Sequence, residues 1–110
     1  MQLGQYGKYQ GKWYIVVELR GHLILIMNEH GGKLQIKASN FEPREGNVAK
    51  LVHYEGTKYL ITKDKRIISL TSNKFMNWDA KHPFRRGILS LKGIDRCKQV
   101  LKFSQQELPL

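Results

Sequence analysis

The sequence predicts an all-β protein: a small antiparallel barrel extended by a β-meander, with one short helix near its C-terminus. Six to eight short runs of β-branched and aromatic residues follow one another, each closed within a few positions by Gly, Asn, Asp or Ser. Only one segment repeats its apolar residues at helical spacing: Ile94, Cys97, Val100 and Leu101, with Asp95 early and Lys98 and Lys102 late. Closely spaced strands with no intervening helices make an antiparallel barrel or sandwich.

Taken in order, Gly4, Gly7 and Gly11 mark an opening turn region. Residues 12–19 (KWYIVVEL) read as a strand, and Arg20-Gly21 as a tight turn. Residues 22–28 (HLILIMN) form a second strand whose unbroken apolarity implies cover on both faces. Gly31 and Gly32 offer the positive-φ positions of a hairpin loop. Residues 33–37 (KLQIK) alternate with period two, and residues 38–43 fit one 3₁₀ turn that closes a barrel end with Phe41. Residues 44–49 read as a connector. Further strands are expected at 50–55, 58–63, 66–71 and 88–91. The polar stretch 79–87, which contains Pro83, reads as a loop. Trp13, Ile15, Leu25, Ile36, Ile61 and Ile68 are the expected core. The whole chain is expected to be one domain, a barrel-like half (1–43) and a basic half (50–103).

The composition is that of a folded chain: 41% hydrophobic, 10% aromatic and 25% charged over 110 residues. No apolar run approaches the roughly 20 residues of a membrane-spanning helix, and the N-terminal residues lack the pattern of a signal peptide. Cys97 is the single cysteine, which excludes an internal disulfide and points to a reducing cytoplasm. The net charge of +10 is uneven: residues 1–55 carry +2 and residues 56–110 carry +8. A field concentrated in half of a small domain favours a polyanionic partner.

The first 43 residues resemble, in strand order and terminal one-turn helix, an SH3-like small barrel of the Tudor and KOW kind. In the second half, Tyr54-Glu55-Gly56 followed by Tyr59, Ile61, Thr62, Arg66, Ile67, Ser69 and Leu70 resembles the nuclease-associated modular DNA-binding domain of homing endonucleases. Two departures are Lys65 in place of the turn glycine and the missing upstream tryptophan. The resemblance implies a hairpin with DNA contact by Lys63, Lys65 and Arg66, and no nuclease activity.

Catalytic patterns are weak. His22, His30, His53 and His82 lie at least eight residues apart, with no second histidine or cysteine at i+2 or i+4. Asp64 and Asp79 with Lys81 only loosely echo a restriction-type nuclease core. No nucleophile elbow, P-loop or dinucleotide fingerprint occurs. No cofactor, metal or enzymatic activity is therefore expected.

Cations do interleave with rings: Lys58 beside Tyr59, Lys74 beside Phe75, Trp78 near Lys81, and Phe84-Arg85-Arg86. Such pairs let a β surface stack bases while cations follow phosphates. Tyr59, Phe75 and Trp78 also suit the core, whereas Phe84 suits an exposed loop. The sequence thus points to a non-enzymatic nucleic-acid-binding protein. Its candidate contacts are Lys63, Lys65, Arg66, Lys74, Trp78, Lys81, Phe84, Arg85 and Arg86. The rival is an inhibitor or adaptor, of the kind phages encode against host defences, that turns the same patch on an acidic or nucleic-acid-binding protein surface.

Overall fold

The computed structural model describes residues 1–94. The expected helix from Ile94 through Leu101 lies, beyond Ile94 itself, outside these residues, and so does Cys97. The described residues form two antiparallel sheets and one short helix. The first sheet contains β1 (Gln5–Tyr9), β2 (Lys12–Arg20), β3 (Leu23–Met27), β4 (Lys33–Lys37) and β5 (Glu42–Val48), in the order β4-β3-β2-β1-β5. The second contains β6 (Lys50–Tyr54), β7 (Thr57–Ile61), β8 (Ile67–Ser69) and β9 (Lys74–Phe75), paired in sequence order as the expected meander. The helix α1 spans Pro83–Leu89. No described helix is long and apolar enough to cross a membrane.

Side-chain alternation sorts the apolar residues into three layers. On one face of the first sheet, Tyr14, Val16, Ile24, Ile26 and Ile36 enclose Phe41, which follows the 3₁₀ turn Ala38–Asn40. On its other face, Ile15, Val17 and Met27 pack against Ala49, Leu51, Leu60 and Ile68 of the second half. The far face of the second sheet, with Val52, Tyr59, Ile61 and Ile67, is covered by Ile88 of α1. The unbroken apolar run of β3 is thus explained, since the first sheet is covered on both faces. No ladder joins β4 to β5, so this sheet is open rather than closed into a barrel.

Several expectations are corrected. Of the opening glycines, Gly4 and Gly11 do lie in turns, at φ +84° and +77°, but Gly7 lies within β1, which pairs it with Tyr14 on one side and Pro43 on the other. Gly7 is required there because a Cβ would lie 2.5 Å from the Phe41 ring and the Glu42 carbonyl oxygen. The connector at 44–49 is mostly β5, held by Gln5 Nε2, which donates to the Arg44 carbonyl at 2.7 Å. Residues 83–89 are helical, in place of a loop and a strand. Pro83 starts this helix, with His82 as its cap accepting from the Phe84 N–H at 3.2 Å through Nδ1. Trp13 is 48% exposed rather than core, and Leu25 is only half-buried, while Ile15, Ile36, Ile61 and Ile68 are buried.

Candidate functional site

The turn between β7 and β8 carries Lys63, Lys65 and Arg66 to the seam between the two sheets. Thr62 organises it. Its N–H donates to the Arg66 carbonyl at 2.8 Å, its Oγ1 accepts from the Arg66 N–H at 2.9 Å, and its hydroxyl donates to Asp64 Oδ1. Lys65 takes the left-handed conformation, φ +66°. All three basic side chains project outward and are exposed.

Arg66 is fixed from two directions. Its guanidinium lies 3.6 Å from the centre of the Phe75 ring, and Nη1 donates to the Glu29 carbonyl at 2.6 Å. That carbonyl belongs to the β3–β4 hairpin, whose shape depends on Asn28. Asn28 Oδ1 accepts from the His30 and Gly32 N–H groups, both at 2.9 Å, and Gly31 adopts φ +88°. The glycine hairpin expected from the sequence is present, and it supports the arginine.

Two more cation–ring pairs stand close by. Lys63 Nζ lies 5.7 Å from the centre of the Tyr6 ring, and Lys8 Nζ lies 5.1 Å from that of Trp13. The Tyr6 hydroxyl oxygen accepts from the Lys63 N–H at 3.2 Å. Burial pushes the Tyr6 phenol pKa up, the Lys63 hydrogen bond opposes this, and the Asp64 carboxylate adds to the rise.

These groups border two adjoining concavities. The first, about 390 Å³, lies between the sheets, with Tyr6, Trp13 and Phe75 as walls, Ile15 and Met27 beneath, and Lys63 and Arg66 at its edge. The second, about 440 Å³, is bordered by Lys65, Arg66, Phe75, Trp78, Asp79 and Arg85. Asp64, Arg66 and Phe75 belong to both, and the stacked Arg66–Phe75 pair stands where the two meet.

Five of the predicted contact residues therefore meet along one surface: Lys63, Lys65, Arg66, Trp78 and Arg85. Lys74, Lys81 and Arg86 are exposed but border neither concavity. Phe84 is 40% exposed, and its ring meets Tyr54 and Trp78 edge-on at 5.4 and 5.8 Å. It therefore closes an aromatic cluster in which Trp78 also stacks on His82, centroids 5.1 Å apart. Tyr59 is buried as expected, and Phe75 is half-buried with one face given to Arg66.

Among the described residues, none of the predicted contact cations pairs with a carboxylate; the ion pairs are Arg20–Glu18 and His30–Glu29. No three His, Asp or Glu side chains among the described residues gather as metal ligands. Sequence reasoning missed Lys8, Tyr6, Trp13 and Asn28, which come from the less basic half. The signal was there: Tyr6, Lys8, Lys12 and Trp13 interleave cations with rings as the second half does. No family model, curated protein or solved structure matches the chain.

Proposed function

We propose that this protein is a small, non-enzymatic nucleic-acid-binding protein whose contact surface runs along the seam between its sheets. One observation carries the reading: basic side chains that have no carboxylate partner among the described residues line up beside aromatic rings across two adjoining concavities. A cation committed to an ion pair has its charge neutralised locally, whereas Lys63, Lys65 and Arg85 keep theirs for an incoming anion. Arg66 is pre-positioned by Phe75 and the Glu29 carbonyl, so its remaining N–H groups meet a phosphate with little further ordering. Trp78 adds an aromatic surface beside Arg85. Lys74, Lys81 and Arg86 lie outside the concavities and add long-range attraction.

Fluorescence anisotropy with labelled single- and double-stranded oligonucleotides over a range of salt concentrations tests this. Binding should weaken steeply as salt rises, because phosphate contacts release counterions. Undetectable binding at low salt overturns the reading. Retention of a protein partner from nuclease-treated lysate would then favour an acidic protein surface as the target.

A further inference from the structure

We propose that the cavity of about 390 Å³ between the sheets receives one unstacked nucleobase, so that the protein prefers single-stranded to duplex nucleic acid. This rests on the nucleic-acid reading and adds the strandedness of the partner.

The cavity has the size and chemistry of a small-ligand site: apolar beneath, aromatic at the sides, with a few polar groups. Of the four aromatic residues in its lining, Tyr14 aside, three come from three strands, Tyr6 of β1, Trp13 of β2 and Phe75 of β9, and each of these is paired with a cation. The Trp13 indole, 48% exposed at the edge of the cavity and contacted by Lys8 Nζ, still offers ring surface to an incoming flat ring. A nucleobase supplies a flat ring to match it, with hydrogen-bonding edges that a hydrocarbon lacks.

The polar groups are oriented for such an edge. The Tyr6 oxygen already accepts from Lys63, which leaves its O–H proton to donate. Asn28 uses Oδ1 to hold its own loop, which leaves its NH₂ group for an acceptor. Asp64 and Glu29 also reach the lining, but the Asp64 carboxylate accepts from Thr62 and that of Glu29 faces His30 at 3.4 Å.

Charge complementarity selects a strand over a free base. Lys63 and Arg66 border this cavity, and Arg66, Lys65 and Arg85 border the second, where they outnumber the carboxylates Asp64 and Asp79 and leave a path that a phosphodiester backbone can follow. Bases within a duplex are stacked and paired and cannot enter without being extruded, which costs a few kcal/mol. Single strands enter without that cost.

The test compares a labelled single strand of about 16 nucleotides with its duplex, and with the unlabelled mononucleotide as competitor, on the full chain and on Trp13→Ala and Trp13→Phe. The single strand should bind at least about ten-fold more tightly than the duplex. Trp13→Ala should weaken single-strand binding about 5- to 100-fold, leave duplex binding and the salt slope unchanged, and be largely rescued by Trp13→Phe. Trp13 is 48% exposed, so Trp13→Ala should lower the thermal midpoint only modestly, and a cooperative melt together with retained duplex binding checks the fold of the variant. Equal or tighter duplex binding, or indifference of the single strand to Trp13→Ala, overturns the pocket while the nucleic-acid reading stands. A mononucleotide that competes as well as the strand overturns it in favour of a free nucleotide. Failure of both polymers to bind at low salt overturns both readings together.

Discussion

The guanidinium of Arg66 lies 3.6 Å above the ring of Phe75, and the pair stands where the two concavities of the candidate surface meet. Arg66 comes from the β7–β8 turn and Phe75 from β9, so the contact joins that turn to β9, while the bond to Glu29 ties it to the first sheet. A double-mutant cycle with Arg66→Ala and Phe75→Leu should give a coupling of about 0.5–1 kcal/mol in denaturant unfolding, the range of a solvent-facing cation–π pair. A coupling near zero would mean that the stacked geometry is not held in solution.

Gly31→Ala should destabilise the protein by about 1–2 kcal/mol, the cost of placing an L side chain in the left-handed region. Space is not the obstacle, because the nearest atom to an added Cβ is Phe75 Cδ2 at 3.8 Å. The strain comes from φ +88° alone, so Gly31→Asn should cost less than Gly31→Ala. Urea midpoints of the two variants measure the difference. Because the hairpin supports the carbonyl that holds Arg66, nucleic-acid affinity should fall with Gly31→Ala as well.

Lys65 poses the opposite case, a side chain already in the left-handed region at φ +66°. Lys65→Gly should raise stability by up to about 1 kcal/mol, the relief of strain being partly offset by backbone entropy in the unfolded chain. The same change removes an exposed cation from the second concavity, so nucleic-acid affinity should drop while the melting temperature rises. Stability and affinity moving together would contradict one of the two assignments.

What could be read from the sequence was what is set locally. The strands 12–19, 33–37 and 50–71 announce themselves through alternation and turn residues, and the ladders Leu51↔Leu60 and Leu60↔Ile68 follow from short hairpins. β5 is hidden because its partner β1 lies far away in sequence and its residues are mostly polar, with Pro43 and Gly46 among them. β1, a hairpin neighbour of β2, is instead masked by Gly7 and by the turn glycines Gly4 and Gly11 that flank it. Pro83 was misleading for a different reason. Proline breaks a helix interior but favours its first turn, and the capping role of His82 carries no sequence signature as firm as serine or aspartate. The site divides the same way. Lys63, Lys65 and Arg66 stand together because one turn holds them, whereas Tyr6, Trp13 and Asn28 join them only when the sheets pack.

Tyr6 should give the protein an alkaline stability limb. Burial raises its phenol pKa in the folded state, so on passing the ordinary value of about 10 the unfolded chain releases its proton first. The folded state then holds the extra proton, and stability falls as pH rises until the folded value is passed. Tyr6→Phe removes this limb, and the difference between wild type and variant subtracts the background from the other tyrosines and the lysines. Urea midpoints from about pH 9 to pH 11 should show wild type losing stability faster than Tyr6→Phe. Parallel pH profiles would show that the Tyr6 phenol titrates alike in the folded and unfolded chain.

The two arginines of α1 separate the groove from the general field. Consecutive helix residues diverge by about 100°, so Arg85 and Arg86 face different ways. Arg85 is half-buried and borders the second concavity beside Trp78, whereas Arg86 is exposed and borders neither. Alanine is the best helix former, so either substitution should leave the thermal midpoint nearly unchanged. Binding should respond unequally. If Arg85 meets a phosphate, Arg85→Ala flattens the log–log salt slope by roughly 0.7–0.9, the release of one counterion contact on single or double strands. Arg86→Ala should lower affinity only modestly, with little change in slope, because a charge outside the path acts through the screened field. Phe84→Ala serves as the control for aromatic contact. Its ring packs on Tyr54 and Trp78, so its loss should lower stability and affinity together while leaving the slope alone. Salt titrations by anisotropy on the three variants decide the matter. A slope flattened more by Arg86→Ala than by Arg85→Ala would move the phosphate path off the seam and onto the outer face of the helix.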